Sequence, residues 1–174
     1  MIRHAVLPFF LGLVSVVPAA AQTQSGMVLV HGMYTNAEYG FCIRLPGGVA
    51  GEMDAPPAPN HGIRIELGPG RAVEIGGEFD AALLGSPRAY IDAELSSEHA
   101  TNVRYGHSGL GKYSAEEARA VVGNETETLV VLRRDVSGGV FYRAYLITDF
   151  AHLEHDEKMF QDLLSTFHEQ NLPP

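Results

Sequence analysis

Residues 151–160, AHLEHDEKMF, place His152 and His155 three positions apart among carboxylates near the end of the chain. On a helix that spacing sets two imidazoles roughly 60° apart around the axis, close enough to share an ion. Helical zinc signatures carry their catalytic glutamate inside H-E-x-x-H or directly before the second histidine of H-x-x-E-H. Here the string is H-L-E-H. Phe160, Leu163, Leu164 and Phe167 fall at i, i+3, i+4 and i+7, one apolar stripe. At about 100° per residue, His155 points roughly 130° away from that stripe, toward water. No third ligand is marked. The stretch reads as the acidic first turn of a helix, where Asp156 and Glu157 complement the helix dipole, and no metal ligand is assigned.

Other candidates for chemistry resolve in the same direction. In YGHSGLGKYS, His107 and Ser108 stand among glycines, but a nucleophile elbow needs G-x-S-x-G and Leu110 occupies the second glycine position. Gly106, Gly109 and Gly111 do not fit G-x-G-x-x-G either, so the segment reads as a glycine-rich turn. Glu116, Glu117 and the acids of NETET have no spacing that argues for a catalytic carboxylate pair. Arg133 and Arg143 are placed to approach each other across a hairpin, as an anion-binding pair or as strand-edge solubility devices. Cys42 is the single cysteine, flanked by Phe41 and Ile43 in an alternating run, and reads as a packed thiol. No catalytic residue and no cofactor is assigned.

Composition sets the compartment and excludes some partners. Arg3, the apolar run Ala5–Val17 and the A-x-A pattern Ala19–Ala21 form a secretory signal with cleavage after Ala21. That run is short for a bilayer span of ~20 residues, so no stable membrane span is expected after cleavage. Residues 1–21 are thus read as signal peptide and the protein as periplasmic or secreted. One cysteine in an exported chain closes no internal disulfide. The net charge is −9, and Lys112 and Lys158 are the only lysines. That balance leaves no basic footprint for nucleic acid.

The remainder reads as one domain. Residues 22–36 form a flexible lead-in, although the apolar MVLV of Met27–Val30 is suited to covering a sheet edge. Gly40–Leu45 alternates as a strand. Gly47–Asn60 is irregular, stiffened by Pro56, Pro57 and Pro59. HGIRIELGPGRAVEIGG is a hairpin turning at GPGR. Ser86 and Pro87 open a helix whose stripe is Tyr90, Ile91 and Leu95. Ser114-x-x-Glu117 has the form of a capping box, but the spacing of Ala118–Val122 favours a strand, with a turn at Gly123–Asn124. Thr128–Arg134 and Val140–Thr148 are apolar on both faces, so layers must lie on each side of their sheet. A C-terminal helix and a tail at 171–174 follow.

Two stretches carry a family resemblance. YTNAEYGFCIRLPGG resembles the opening of PsbP-like and DcrB-like domains, an aromatic-Gly-Phe strand that ends in proline. LVVLRRDVSGGVFYRAYLITDFAHLEHDEKMFQDLLSTF resembles their ending, two long strands and a helix closing in Ser165, Thr166 and Phe167. The resemblance implies an α+β fold: an antiparallel sheet covered by helices on both faces, an α/β/α sandwich over residues 37–170. It also implies a non-catalytic role in binding other proteins, since no catalytic or metal-binding motif carries over.

The resulting expectation is an exported, non-catalytic module that contacts another envelope or secreted protein. A small periplasmic hydrolase and a small-ligand carrier are the alternatives. The Gly47–His61 loop is the expected contact, with Glu52, Met53, Asp54 and His61 as binding residues. Irregular segments on rigid scaffolds carry recognition, and prolines lower the entropy lost on ordering.

Overall fold

A computed structural model describes residues 26–55, 60–135 and 139–170. The signal-peptide expectation, Pro56, Pro57, Pro59 and the 171–174 tail lie outside the described residues.

Eight strands form one antiparallel sheet in the order β1-β4-β5-β6-β10-β9-β8-β7. They are β1 (Met27–His31), β4 (Ala50–Asp54), β5 (Gly62–Gly68), β6 (Arg71–Phe79), β7 (Thr101–Leu110), β8 (Tyr113–Val122), β9 (Glu125–Arg134) and β10 (Val140–Thr148). A smaller sheet joins β2 (Met33–Asn36), β3 (Phe41–Arg44) and β11 (His168–Glu169) in the order β11-β3-β2. Helix α1 spans Pro87–Ser97 and α2 spans Leu153–Ser165.

The helix signals act as their chemistry predicts. The Ser86 side chain accepts a hydrogen bond from the Ala89 amide, and Pro87 fills the first turn, where its missing N–H costs nothing. Tyr90, Ile91 and Leu95 are buried. Two core clusters follow from strand alternation. On β9 and β10, Val130, Leu132, Tyr142 and Ala144 belong to the cluster that holds Phe160, Leu163, Leu164 and Phe167. Their neighbours Leu129, Val131, Phe141 and Tyr145 belong to the cluster that holds Tyr90, Ile91 and Leu95. The α1 cluster draws on β8, β9 and β10 and takes no residue from β1, β4, β5 or β6.

Three expectations are corrected. Within the stretch read as a flexible lead-in, the described residues 26–36 form β1 and β2, and β1 pairs with β4 from Met27↔Asp54 to His31↔Ala50. The Gly47–His61 segment is not a continuous loop: β4 lies inside it, between β1 and β5. Gly, Ala, Glu and Asp are poor strand formers, but hydrogen-bonding partners on both sides outweigh that propensity. YGHSGLGKYS is largely strand β7, and the turn is confined to Gly111–Lys112. Gly111 has φ +58, and a Cβ there would run into the Phe167 carbonyl, so this position requires glycine.

Candidate protein-contact site

On the side of the sheet where α1 lies, the strands it leaves uncovered carry charge. Cross-strand register places Glu52 opposite Arg64, and Arg64 opposite Glu74. Arg143 stands opposite Gly76, and Gly76 opposite Gly62. These residues line a shallow cleft of about 190 Å³ together with Met27, Met53, Asp54 and His61. All four residues expected for binding therefore converge on one cleft, although three of them arrive on a strand rather than on a loop.

Glycines give the cleft its floor. A Cβ at Gly76 would strike the His61 carbonyl, and one at Gly62 would strike the Ile75 carbonyl. Either addition would push β5 from β6. His61 is anchored from behind: the buried Asn36 donates to the Asn60 carbonyl at 2.7 Å, and the Tyr34 hydroxyl donates to Asn60 Oδ1 at 2.6 Å. Burial pushes the Tyr34 hydroxyl up to about 12, so it stays a donor across the physiological range.

The charges are unevenly satisfied. Arg64 donates to Glu66 Oε1 at 2.6 Å and pairs with Glu74; its hydrogen bond to Glu66 leads in raising its pKa. Arg143 lies 3.9 Å from Glu78 Oε2. Among the described residues, Glu52 and Asp54 have no basic partner at ion-pair distance. Beside them, Met27 and Leu29 on the edge strand are 56% and 62% exposed. The cleft thus offers two unpaired carboxylates, a flat glycine floor and an apolar rim.

Met53 departs from its expected role. A strand sends successive side chains to opposite faces, and Met53 packs against the α2 cluster with Val30 and Val49. Arg64, Glu74 and Arg143 are not among the residues expected for binding. They lie far apart in sequence, and only sheet register brings them together.

The other sequence candidates lie elsewhere. Among the described residues, no group of three or more His, Cys, Asp or Glu is gathered to hold a metal ion. His152 Nδ1 lies 2.8 Å from Asp149 Oδ1, and the exposed His155 Nδ1 lies 3.1 Å from Asp156 Oδ1. Cys42 is buried and free on β3. His107 and Ser108 sit on β7, with Ser108 Oγ 3.3 Å from Gln161 Oε1. Arg133 stands opposite Phe141 rather than Arg143, and it pairs with Asp80 at 3.3 Å. No anion-binding pair forms there.

One buried acid lies outside every sequence-level signal. Glu127 is 5% exposed beside Glu98, whose Oε2 accepts from the Tyr145 hydroxyl at 3.2 Å. Burial first, and then the neighbouring Glu98 carboxylate, push Glu127 up to about 8. The folded state therefore holds its proton more tightly than the unfolded chain does. The associated stability is fully present below the ordinary glutamate range near 4.5 and is lost as pH rises toward about 8. Glu127→Gln should leave stability nearly unchanged at pH 4.5. At pH 9 it should raise stability by a few kcal/mol, since each tenfold difference in proton affinity between the folded and unfolded chain is worth ~1.4 kcal/mol. Urea melts at the two pH values check this; an equal effect at both would contradict it.

Among the described residues, no helix is long and apolar enough to cross a membrane. Neither a family model nor a curated protein matches the chain. By structure the chain is similar to cyanobacterial PsbP (CyanoP) from Synechocystis sp. PCC 6803, a solution structure, with a TM-score of 0.50 at 13% identity. The match covers 88% of this chain and 98% of that one. At that identity the likeness concerns the path of the chain and not its activity: this protein has a PsbP-like, α+β fold.

Proposed function

We propose that the protein is an exported, non-catalytic binding module of the cell envelope that acts by protein–protein contact through the β1–β4–β5–β6 half of its sheet. The observation that carries this reading is the cleft itself. Glu52 and Asp54 are unpaired among the described residues, and they face the same side as the exposed Met27 and Leu29 of an edge strand. The exposed apolar strip of Met27 and Leu29 is what favours a protein contact, and the carboxylates beside it form the polar rim such a contact has. The cleft is too shallow to enclose a substrate. Export rests on the signal-like residues 1–21, and cleavage after Ala21 would leave β1 close to the mature N-terminus.

In this reading the domain is a three-layer arrangement in which α1 covers part of one face, and the part it leaves bare is the contact surface. The partner carries basic side chains where it meets Glu52 and Asp54. The double substitution Glu52→Gln/Asp54→Asn tests this, because both side chains are half-exposed and unpaired among the described residues. Capture of the partner from an envelope extract should fall at least fivefold while the melting curve stays within a degree or two, as expected for surface charges. Undiminished capture would move the contact elsewhere.

A further inference from the structure

On the α2 side of the sheet, at the opposite end from β1, β7 and β8 border a second and larger cleft of about 590 Å³. We infer that it binds a small amphipathic anion, a molecule with an aromatic or short aliphatic body and a carboxylate or similar head group. The inference is independent of the protein-contact surface, which involves neither β7 nor β8.

Four observations converge on it. The volume lies in the range that holds small ligands, unlike the shallow cleft at β4. Its apolar wall is made by Val121, Leu153 and Phe150. Phe150 is 66% exposed, an aromatic ring at the mouth with no core to join. Arg104 and Arg119 are register partners on β7 and β8 and line the same cleft. Arg119 is met by Glu157 of α2, whereas Arg104 has no carboxylate at ion-pair distance among the described residues. Glu117 shares an adjoining hollow with both arginines, so Arg104 at the rim is the group left to receive an anionic head.

The cleft also contains polar groups that the protein leaves unmet. Thr126 lines it, is 3% exposed, and its Oγ1 has no hydrogen-bond partner among the described residues. Arg119 Nε is likewise buried without one. Both atoms are closed off from solvent, so they lie within the wall, and the exposed Arg104 is the group that meets the anion. The backbone beside the cleft is irregular. The β7–β8 register slips between Thr101 and Arg104, and Asn102 within the slip holds φ +54, a left-handed conformation that asparagine accommodates readily.

The test uses 4-phenylbutyrate as the probe and its neutral analogue 4-phenylbutan-1-ol as the control, followed by amide NMR shifts. The acid should give saturating shifts at Val103, Val121, Thr126 and Leu153. Arg104→Gln, a change at an exposed side chain, should weaken it roughly tenfold, the loss of one charge-assisted hydrogen bond. Phe150→Ala should weaken the acid and the alcohol alike. Absence of saturating shifts at these amides, shifts concentrated elsewhere, or unchanged affinity in Arg104→Gln would each overturn the site. Equal binding of the alcohol would overturn its preference for an anion.

Discussion

Asp156→Ala should cost about 3–5 kcal/mol of folding stability, the loss expected when one partner of a buried ion pair is removed. The carboxylate is 1% exposed on the first turns of α2. Its Oδ2 accepts from Arg71 Nη1 at 2.7 Å and from Thr148 Oγ1 at 2.6 Å, so α2, β6 and β10 meet at this oxygen. Burial alone would raise the carboxyl; the Thr148 hydroxyl, the His155 ring and the Arg71 guanidinium outweigh it and hold it below the ordinary carboxylate range. A depressed pKa contributes stability above the unfolded value near 4 and loses it as pH falls through the folded one. The wild type should therefore lose stability more steeply than Asp156→Ala below pH 4. Arg71→Met/Asp156→Leu should recover much of the loss, because it removes both charges and leaves neither stranded. Denaturant midpoints measure all three, and a single-mutant loss below ~1 kcal/mol would mean the pair is solvated.

Phe167→Ala should be as damaging, at about 3–5 kcal/mol, from lost transfer energy plus the cavity left behind. Phe167 lies two residues past the end of α2 and is 4% exposed. Its ring stacks on Phe41 at 5.5 Å and meets Tyr142 edge-on at 5.2 Å. Phe41 and Tyr142 are themselves 5.7 Å apart. The three rings join the small sheet, the large sheet and the end of α2. Urea unfolding followed by tyrosine fluorescence gives the loss directly; a value near that of a surface substitution would place Phe167 outside the core.

Legibility in the sequence followed interaction range. Ser86–Pro87 and the Phe160–Leu164 stripe are local signals, and both helices form there; α2 stops at Ser165, so Phe167 reaches the same core from beyond the helix end. The double-sided apolarity of β9 and β10 is legible because both of their faces are buried, which leaves no polar alternation. β4 is illegible for the opposite reason: AGEMD has no strand propensity of its own and is held by β1 on one side and β5 on the other. β7 is hidden by its glycines, which an edge strand paired on one side tolerates. The candidate site is half legible. Glu52, Asp54 and His61 stand out as loop residues, and the strand that replaces the loop keeps them on one cleft but turns Met53 inward. Arg64, Glu74 and Arg143 acquire meaning only through register, which no local pattern encodes. Glu127 looks like one acid among several in NETET, and its burial beside Glu98 is a tertiary fact.

The most direct test of the contact surface is site-specific photocross-linking in intact cells. A benzophenone side chain placed at Leu29, on the rim of the cleft, should give one discrete protein adduct that disappears in the Glu52→Gln/Asp54→Asn background. The same group at Lys158, exposed on α2 on the other side of the sheet, should give none. An adduct at Lys158 equal to that at Leu29, or no adduct at Leu29 at all, would contradict a contact through the open half of the sheet.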